Sequence, residues 1–192
     1  MECIQNYLRA YRHKKILRMS KVLEDGAILD ASCSDGSFLN RLQAIAPKAT
    51  LFGIDISSDD IQKAQKNFPS ISFTHGSVEA LDFESNSLDS IFSTLSLHHY
   101  EKPQTFFAEA YRVLKPGGIL YLTDLVPSSK WMQRIHNWKG CSAPYHFERY
   151  YSIADVEKLL APFGFRILQD RAVTSIPRIR LFTIEKSSPT EV

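Results

Sequence analysis

Apolar positions along the chain change period several times, and the changes divide it into alternating helices and short strands. From Ile4 to Leu23 they recur at helical spacing (Ile4, Tyr7, Leu8, Tyr11, Ile16, Met19, Leu23) with basic residues between them, which predicts an N-terminal helix. After Gly26, Ala27-Ile28-Leu29-Asp30-Ala31 has the short apolar run of a strand covered on both faces. Phe38, Leu42, Ile45 and Ala46 then share a helical face that Pro47 closes. The unit repeats: Thr50 to Ile56 is strand-like, and Ser57-Ser58-Asp59-Asp60 opens a helix carrying Ile61, Ala64 and Phe68. A third strand is expected from Ile71 to Thr74 and a fourth from Leu88 to Ser93, after the turn Glu84-Ser85-Asn86-Ser87. Pro103 suits a first helical position, Phe106, Ala110, Val113 and Leu114 line one face, and Lys115-Pro116-Gly117-Gly118 stops that helix before a fifth strand, Ile119 to Thr123.

Strands alternating with helices through short loops require right-handed crossovers, hence a doubly wound, Rossmann-like α/β fold with a mainly parallel sheet and helices on both faces. The C-terminal third differs. Ser152 and Asp155 start a helix that runs through Leu160, Gly164 ends it, and Phe165–Leu168 and Arg180–Glu185 follow as two strands with no helix between them. Such neighbours pair antiparallel, giving seven strands with a C-terminal hairpin. Residues 187–192 are expected to form a loose tail.

At 192 residues the chain suits one domain, because a single core stays efficient to roughly 250 residues. A hydrophobic share of 44% with 23% charged residues is globular composition, and no stretch reaches the ~18 apolar residues of a membrane span. The net charge of +2 gives no global case for nucleic acid, and the basic run Arg9, Arg12, Lys14, Lys15, Arg18, Lys21 reads as a solvated helix face. Cys3, Cys33 and Cys141 form no C-x-x-C pair, which argues against a disulfide framework or a structural zinc site and suits a reducing cytoplasm. No metal is expected.

The chemistry concentrates after the first strand. In Asp30-Ala31-Ser32-Cys33-Ser34-Asp35-Gly36 small residues recur on the way into a helix, a turn that lets a ligand approach the backbone and that points free N–H groups at it. Asp55 ends the second strand, where a carboxylate accepts both hydroxyls of a ribose lying across the switch point of the sheet. His98 and His99 follow the fourth strand at the expected mouth of the site, and either imidazole would serve as a general base near neutral pH. Trp131, Trp138, Tyr145, His146, Tyr150 and Tyr151 make residues 125–151 an aromatic insert on the substrate side, suited to an aromatic or amphipathic acceptor. Tyr7 and Tyr11 would close over the site from an N-terminal lid, residues 1–24.

These segments in this order resemble the class I S-adenosylmethionine-dependent methyltransferases, most closely the ubiquinone/menaquinone C-methyltransferase-like group. Ile28 to Gly36 is similar to the family's first motif, with Ser32 and Ser34 where it has two glycines, and Phe52 to Ser57 is similar to its ribose motif. Gly76 to Leu81 stands at the adenine motif, with Ser77 replacing an acid, Leu88 to Ser93 at the fourth strand, and Glu109 to Asp124 at the R-V-L-K-P-G-G-x-L segment. The likeness spans Ala27 to Glu185. It implies that Asp30 holds the turn and the cofactor's amino group, that Ser32, Cys33, Ser34 and Gly36 let its methionine part approach, and that Asp55 takes the ribose. Ile56 and Val78 would sandwich the adenine, Ser77 would accept from its amino group, and Ser93 and Thr94 would face the sulfonium. Methyl transfer to a small molecule, on carbon, nitrogen or oxygen, would follow, and a base is needed only for an acceptor that enters protonated.

Three rival readings share parts of this pattern. A nicotinamide-dependent oxidoreductase requires G-x-G-x-x-G, whereas the small residues here run Ser32-x-Ser34-x-Gly36. A catalytically silent binding module or partner subunit would account for the serines in the glycine motif. A nucleic-acid methyltransferase would use the basic N-terminal helix, but Ser93-Thr94-Leu95-Ser96 lacks the Pro-Pro-aromatic loop that grips a flipped base.

Overall fold

The computed structural model describes residues 2–127, 129, 131, 133–134, 149–175 and 178–187, and side chains from residue 8 onward. Its elements in chain order are α1 (Glu2–Met19), β1 (Ala27–Ala31), α2 (Ser37–Gln43), β2 (Thr50–Asp55), α3 (Ser58–Asn67), β3 (Ser72–His75), β4 (Leu88–Thr94), a 3-10 turn (Leu97–His99), α4 (Pro103–Val113), β5 (Leu114–Leu125), α5 (Ile153–Leu160), β6 (Phe165–Thr174) and β7 (Ile179–Lys186).

The strands form one sheet in the order β3-β2-β1-β4-β5-β7-β6. Strands β1 to β5 are parallel, and β7 pairs antiparallel with both β5 and β6. The chain works outward from β1 to β3 and then returns to place β4 on the other side of β1. The crevice beyond the carboxyl ends of β1 and β4 is thus a topological switch point, where such sheets receive ligands.

Successive strand residues enter opposite cores, which is why the strands read as unbroken apolar runs. Ile28, Phe92 and Tyr121 face a core completed by Ile16, Phe38, Leu39 and Leu42, whereas Leu29, Ile91 and Leu120 face one completed by Phe106, Phe107, Val113 and Leu160. Helices cover both faces, as the alternation requires. Ser57 caps α3 by accepting from Asp60 N–H, and Ser152 with Asp155 forms a reciprocal capping box on α5.

Several boundaries differ from the expected ones, for identifiable reasons. Strand β3 starts and ends one residue later than expected. Strand β5 begins directly after α4, with a register shift between Leu88 and Ser90 and with Gly117 at φ 76°, so the Lys115–Gly118 segment is a bulge inside a strand rather than a separate stop. Strand β6 runs on to Thr174 through two further register shifts. Lys186 ends β7 with its ammonium donating to Asn86 Oδ1, Tyr111 O and Leu114 O, each at 2.7 Å, which ties the hairpin to the C-terminal end of α4.

Candidate functional site

The β1–α2 turn is held tightly, and its geometry corrects one expectation. Ser32 and Cys33 both donate their N–H to Ile54 O, Ser34 N–H donates to Asp55 Oδ2 at 2.8 Å, Gly36 N–H to Cys33 O, and Ser37 N–H to Asp35 Oδ1. These amides are engaged within the chain rather than free for a ligand. Ser32 (φ 72°) and Ser34 (φ 49°) both adopt the left-handed conformation that glycine takes most cheaply. The turn keeps a glycine-type path without glycine at those positions. Gly36 also has φ 77°, and a Cβ there would lie 2.7 Å from Phe73, so its small size serves packing onto β3 rather than the approach of a ligand.

Beyond this turn lies a cavity of about 320 Å³ whose wall includes Asp30, Ser32, Cys33, Ser34 and Asp55 from the two strand ends. Thr94, Leu95, Ser96 and His99 add the end of β4 and the 3-10 turn, while Arg9, Arg12, His13 and Ile16 bring in the inner face of α1. Asp30 is 1% exposed, and neither of its carboxylate oxygens has a hydrogen-bond partner. Burial, reinforced by the Asp55 carboxylate, pushes its pKa up to about 8. An acid in that state is a prepared partner for a cation, since pairing with an ammonium removes the cost of burying its charge.

Asp55 divides its two oxygens between Ser34 N–H and Ser57 N–H (2.9 Å), so it braces the turn while lining the cavity. Each oxygen keeps a further lone pair for a ligand hydroxyl. Cys33 packs beside Gly53, and burial with the Asp30 and Asp55 charges raises its thiol pKa, so it contributes a neutral wall.

The N-terminal helix covers the cavity through different residues from those expected. Arg9 makes a bidentate pair with Asp35, both contacts at 2.9 Å, and pins α1 across the turn. Although burial pulls the other way, the Ser37 N–H and the Arg9 guanidinium hold Asp35 below the usual carboxylate range. Burial and the nearby Arg9, Arg41 and Arg12 push His13 down to about 4; its ring meets Phe38 edge-on, and its Nδ1 has no hydrogen-bond partner. Tyr11 is 50% exposed and does not line the cavity. The side chain of Tyr7 lies outside the described ones. The basic residues expected on one solvated face therefore divide, with Arg9 and Arg12 turned inward beside His13; only the i, i+3, i+4, i+7 spacing with Ile16 signals this.

Other expected residues are placed elsewhere. Ser93 is fully buried, with its hydroxyl 3.0 Å from Ser96 Oγ and 3.1 Å from Tyr100 OH rather than in the cavity. Ser32 Oγ donates to Tyr100 OH, completing a hydroxyl cluster that joins the ends of β1 and β4. Tyr100 and Ser96 were not singled out from the sequence, because only the fold brings them beside the turn. Val78 is packed in the core, Ser77 Oγ accepts from Glu79 N–H, and Ile56 is 78% exposed; none of the three lines the cavity. The adenine sandwich is thus not assembled by these side chains as they stand.

His98 and His99 diverge in setting, with ring centroids 3.9 Å apart. His99 is exposed at the cavity edge, whereas His98 is buried, its Nδ1 2.6 Å from Asp124 Oδ1 and its backbone N–H donating to Asp124 Oδ2 at 3.0 Å. A carboxylate in that position fixes the tautomer with hydrogen on Nδ1 and leaves Nε2 as acceptor. Tyr150 stacks on the His98 ring at 5.2 Å. Trp131 is 71% exposed, and Trp138, Tyr145 and His146 lie outside the described residues. Among the described residues no helix is long and apolar enough to cross a membrane, and no three His, Cys, Asp or Glu side chains converge as a metal set.

Comparison with known proteins matches this architecture. Residues 29–122, the segment that builds the crevice, match the family model described as a methyltransferase domain. The phthiotriol/phenolphthiotriol dimycocerosates methyltransferase 1 of Mycobacterium ulcerans is 35% identical over 115 residues, 59% of this chain and 41% of that protein. The demethylmenaquinone methyltransferase of Chlorobaculum tepidum is 28% identical over 134 residues, 69% of this chain and 55% of that protein. The chain thus spans about half or less of the length of these relatives. A crystal structure of an S-adenosylmethionine-dependent methyltransferase from Mesorhizobium loti superposes with a TM-score of 0.76 at 17% identity, covering 91% of this chain and 97% of that one. With its motifs, its strand order and its family match all falling on the same crevice, the chain carries a methyltransferase domain over residues 29–122.

Proposed function

We propose that the protein transfers the methyl group of S-adenosylmethionine to a small-molecule acceptor on carbon, nitrogen or oxygen. The observation that carries this reading is Asp30, a fully enclosed carboxylate with both oxygens unpartnered at the wall of the switch-point cavity. It fits the ammonium of an amino-acid group, and Asp55, a strand away, fits the hydroxyls of a ribose. When bound, S-adenosylmethionine supplies a sulfonium whose methyl carbon is open to displacement. The protein's own work is then alignment and exclusion of water. Ile16 and Phe38 seal the inner side of the cavity, and the Arg9–Asp35 pair holds α1 over it.

For an acceptor that enters protonated, the base is drawn from the closely packed His98–His99 pair: His99 lines the cavity edge, and Asp124 is the positioning residue that fixes the tautomer of His98 buried behind it. The names of the relatives, a dimycocerosate and a demethylmenaquinone methyltransferase, support an acceptor with a large apolar part. The charge balance of +2 supports leaving nucleic acid outside the substrate range, and the free thiol of Cys33 suits a reducing cytoplasm. The silent-module reading rested on serines in the first motif. Because those serines hold the glycine conformation, the turn has not collapsed, and that motive is weakened.

The test has two stages. S-adenosylhomocysteine, but not NADH, should raise the melting temperature. Labelled methyl should then pass from S-adenosylmethionine to a member of a panel of quinols, phenolic lipids and fatty acids. Stabilisation by NADH alone overturns the cofactor assignment, and cofactor binding with no transfer to any class of acceptor returns the silent-module reading.

A further inference from the structure

We infer that the outer face of α1 docks the protein onto an anionic phospholipid membrane surface. Between Glu2 and Glu24 the chain has no acidic residue and carries Arg9, Arg12, Lys14, Lys15, Arg18 and Lys21, so six cations sit on and just after one helix of a chain whose net charge is only +2. The rest of the protein is therefore net acidic. Arg9 and Arg12 turn inward, whereas Lys14 and Arg18 project outward with Leu8 and Tyr11 at i, i+3 and i+7 spacings. Among the described residues no carboxylate lies within ion-pair distance of Lys14, Lys15, Arg18 or Arg41.

Apolar side chains are exposed at the same place. Leu8 (49%), Tyr11 (50%) and Ile45 (51%) are among the seven large hydrophobic residues exposed in the described structure. A groove of about 430 Å³ between α1 and α2 is lined by Lys14, Arg18 and Arg41 with Leu17, Ala44 and Ile45. Around the end of α1, a second cavity of about 540 Å³ collects Arg18, Lys21 and Arg171 beside Leu23 (50%) and Leu168 (43%), also among those seven. Single exposed apolar residues are ordinary, but five of seven gathered on one basic surface are not.

Cations framing protruding aliphatic side chains match the interfacial layer of a bilayer, where phosphates meet the ends of acyl chains. Nucleic acid fits less well, because a strand is gripped by aromatic platforms in a groove, and of these exposed apolar side chains only Tyr11 is aromatic. A membrane against this face would lie about 10 Å, one helix diameter, from the cavity that α1 covers on its other side. The inference does not depend on methyl transfer, since vesicle binding is measured without turnover.

The experiment is co-sedimentation with phosphatidylcholine vesicles, alone and with about one-third phosphatidylglycerol. Binding is expected only to the anionic vesicles and should weaken as salt shortens the screening length. The double substitution Lys14→Ala with Arg18→Ala should lower partitioning about thirtyfold, each cation contributing about fivefold, with unchanged melting temperature and S-adenosylhomocysteine affinity. Ile45→Ser should lower it further, and Lys66→Ala, which removes one cation from α3, should leave it unchanged. Absence of binding to anionic vesicles, a loss of about fivefold in Lys66→Ala, or tighter binding to an oligonucleotide duplex than to vesicles overturns the inference.

Discussion

Asp30→Asn tests the site at the point where sequence, burial and chemistry meet. The ordinary carboxylate value of 3.8 is raised to about 8, first by burial and then by Asp55. The folded apo protein therefore keeps a proton on Asp30 that the unfolded chain releases. This contribution to stability is complete below about pH 4 and is lost as the pH rises through about 8. About four pH units at about 1.4 kcal/mol each set its ceiling at roughly 6 kcal/mol. Asparagine cannot ionise, so the variant should lose this slope and, without ligand, melt above the parent protein near pH 8.

Binding carries the opposite sign. An ammonium seated on Asp30 favours the carboxylate, so complex formation releases a proton, and affinity should rise up to tenfold per unit between about pH 6 and 8. The assay is calorimetric titration with S-adenosylhomocysteine in buffers of different ionisation enthalpy, which counts the proton directly. In Asp30→Asn the proton release should vanish, and affinity should fall about thirtyfold, the loss of one charge-assisted contact of about 2 kcal/mol. Affinity that is flat with pH and free of proton release, or undiminished in the variant, would refute the assignment.

Asp55→Ala should weaken cofactor binding and also lower stability by about 1–3 kcal/mol, because Ser34 N–H and Ser57 N–H lose their acceptor; a melting temperature equal to the parent's would contradict the bracing role. Ser34→Gly should stabilise by about 0.5–1 kcal/mol, the relief of a left-handed serine less the added chain entropy of glycine, read as a melting rise of roughly 1–4 °C. Ser32→Gly should gain less, since it also deletes the hydroxyl that bonds Tyr100. Asp124→Asn should reduce kcat with little change in KM and distort the pH profile of turnover, whereas a merely structural Asp124 would leave that profile's shape intact.

The class of fold was legible because it depends on local periodicity. Ile28 and Leu29 enter opposite cores, so β1 reads as an uninterrupted apolar run, and Ser152 with Asp155 announces α5 through a capping pattern four residues long. Bulged boundaries were not legible, since Lys115–Gly118 has the composition of a helix stop, and only pairing with β4 makes it part of a strand.

Asp30 and Asp55 could be named from the sequence because strand ends at a switch point are fixed by topology, and topology follows from element order. What each side chain faces was decided only in three dimensions. Ser93 stands at the anticipated strand end, yet its hydroxyl is taken by Tyr100 and Ser96. Arg9 and Arg12 stand in a run of like charges, yet the packing of Ile16 turns them, with His13, onto the cavity while Lys14 and Arg18 stay outside. The sequence by itself determined which residues form each element and the order in which the elements wind, because hydrophobic period and caps act over a few neighbours. Partners across the sheet, the backbone acceptors that occupy the turn's amides and the inward face of α1 were decided by the tertiary structure, since those contacts join residues 20 to 100 positions apart that nothing local relates.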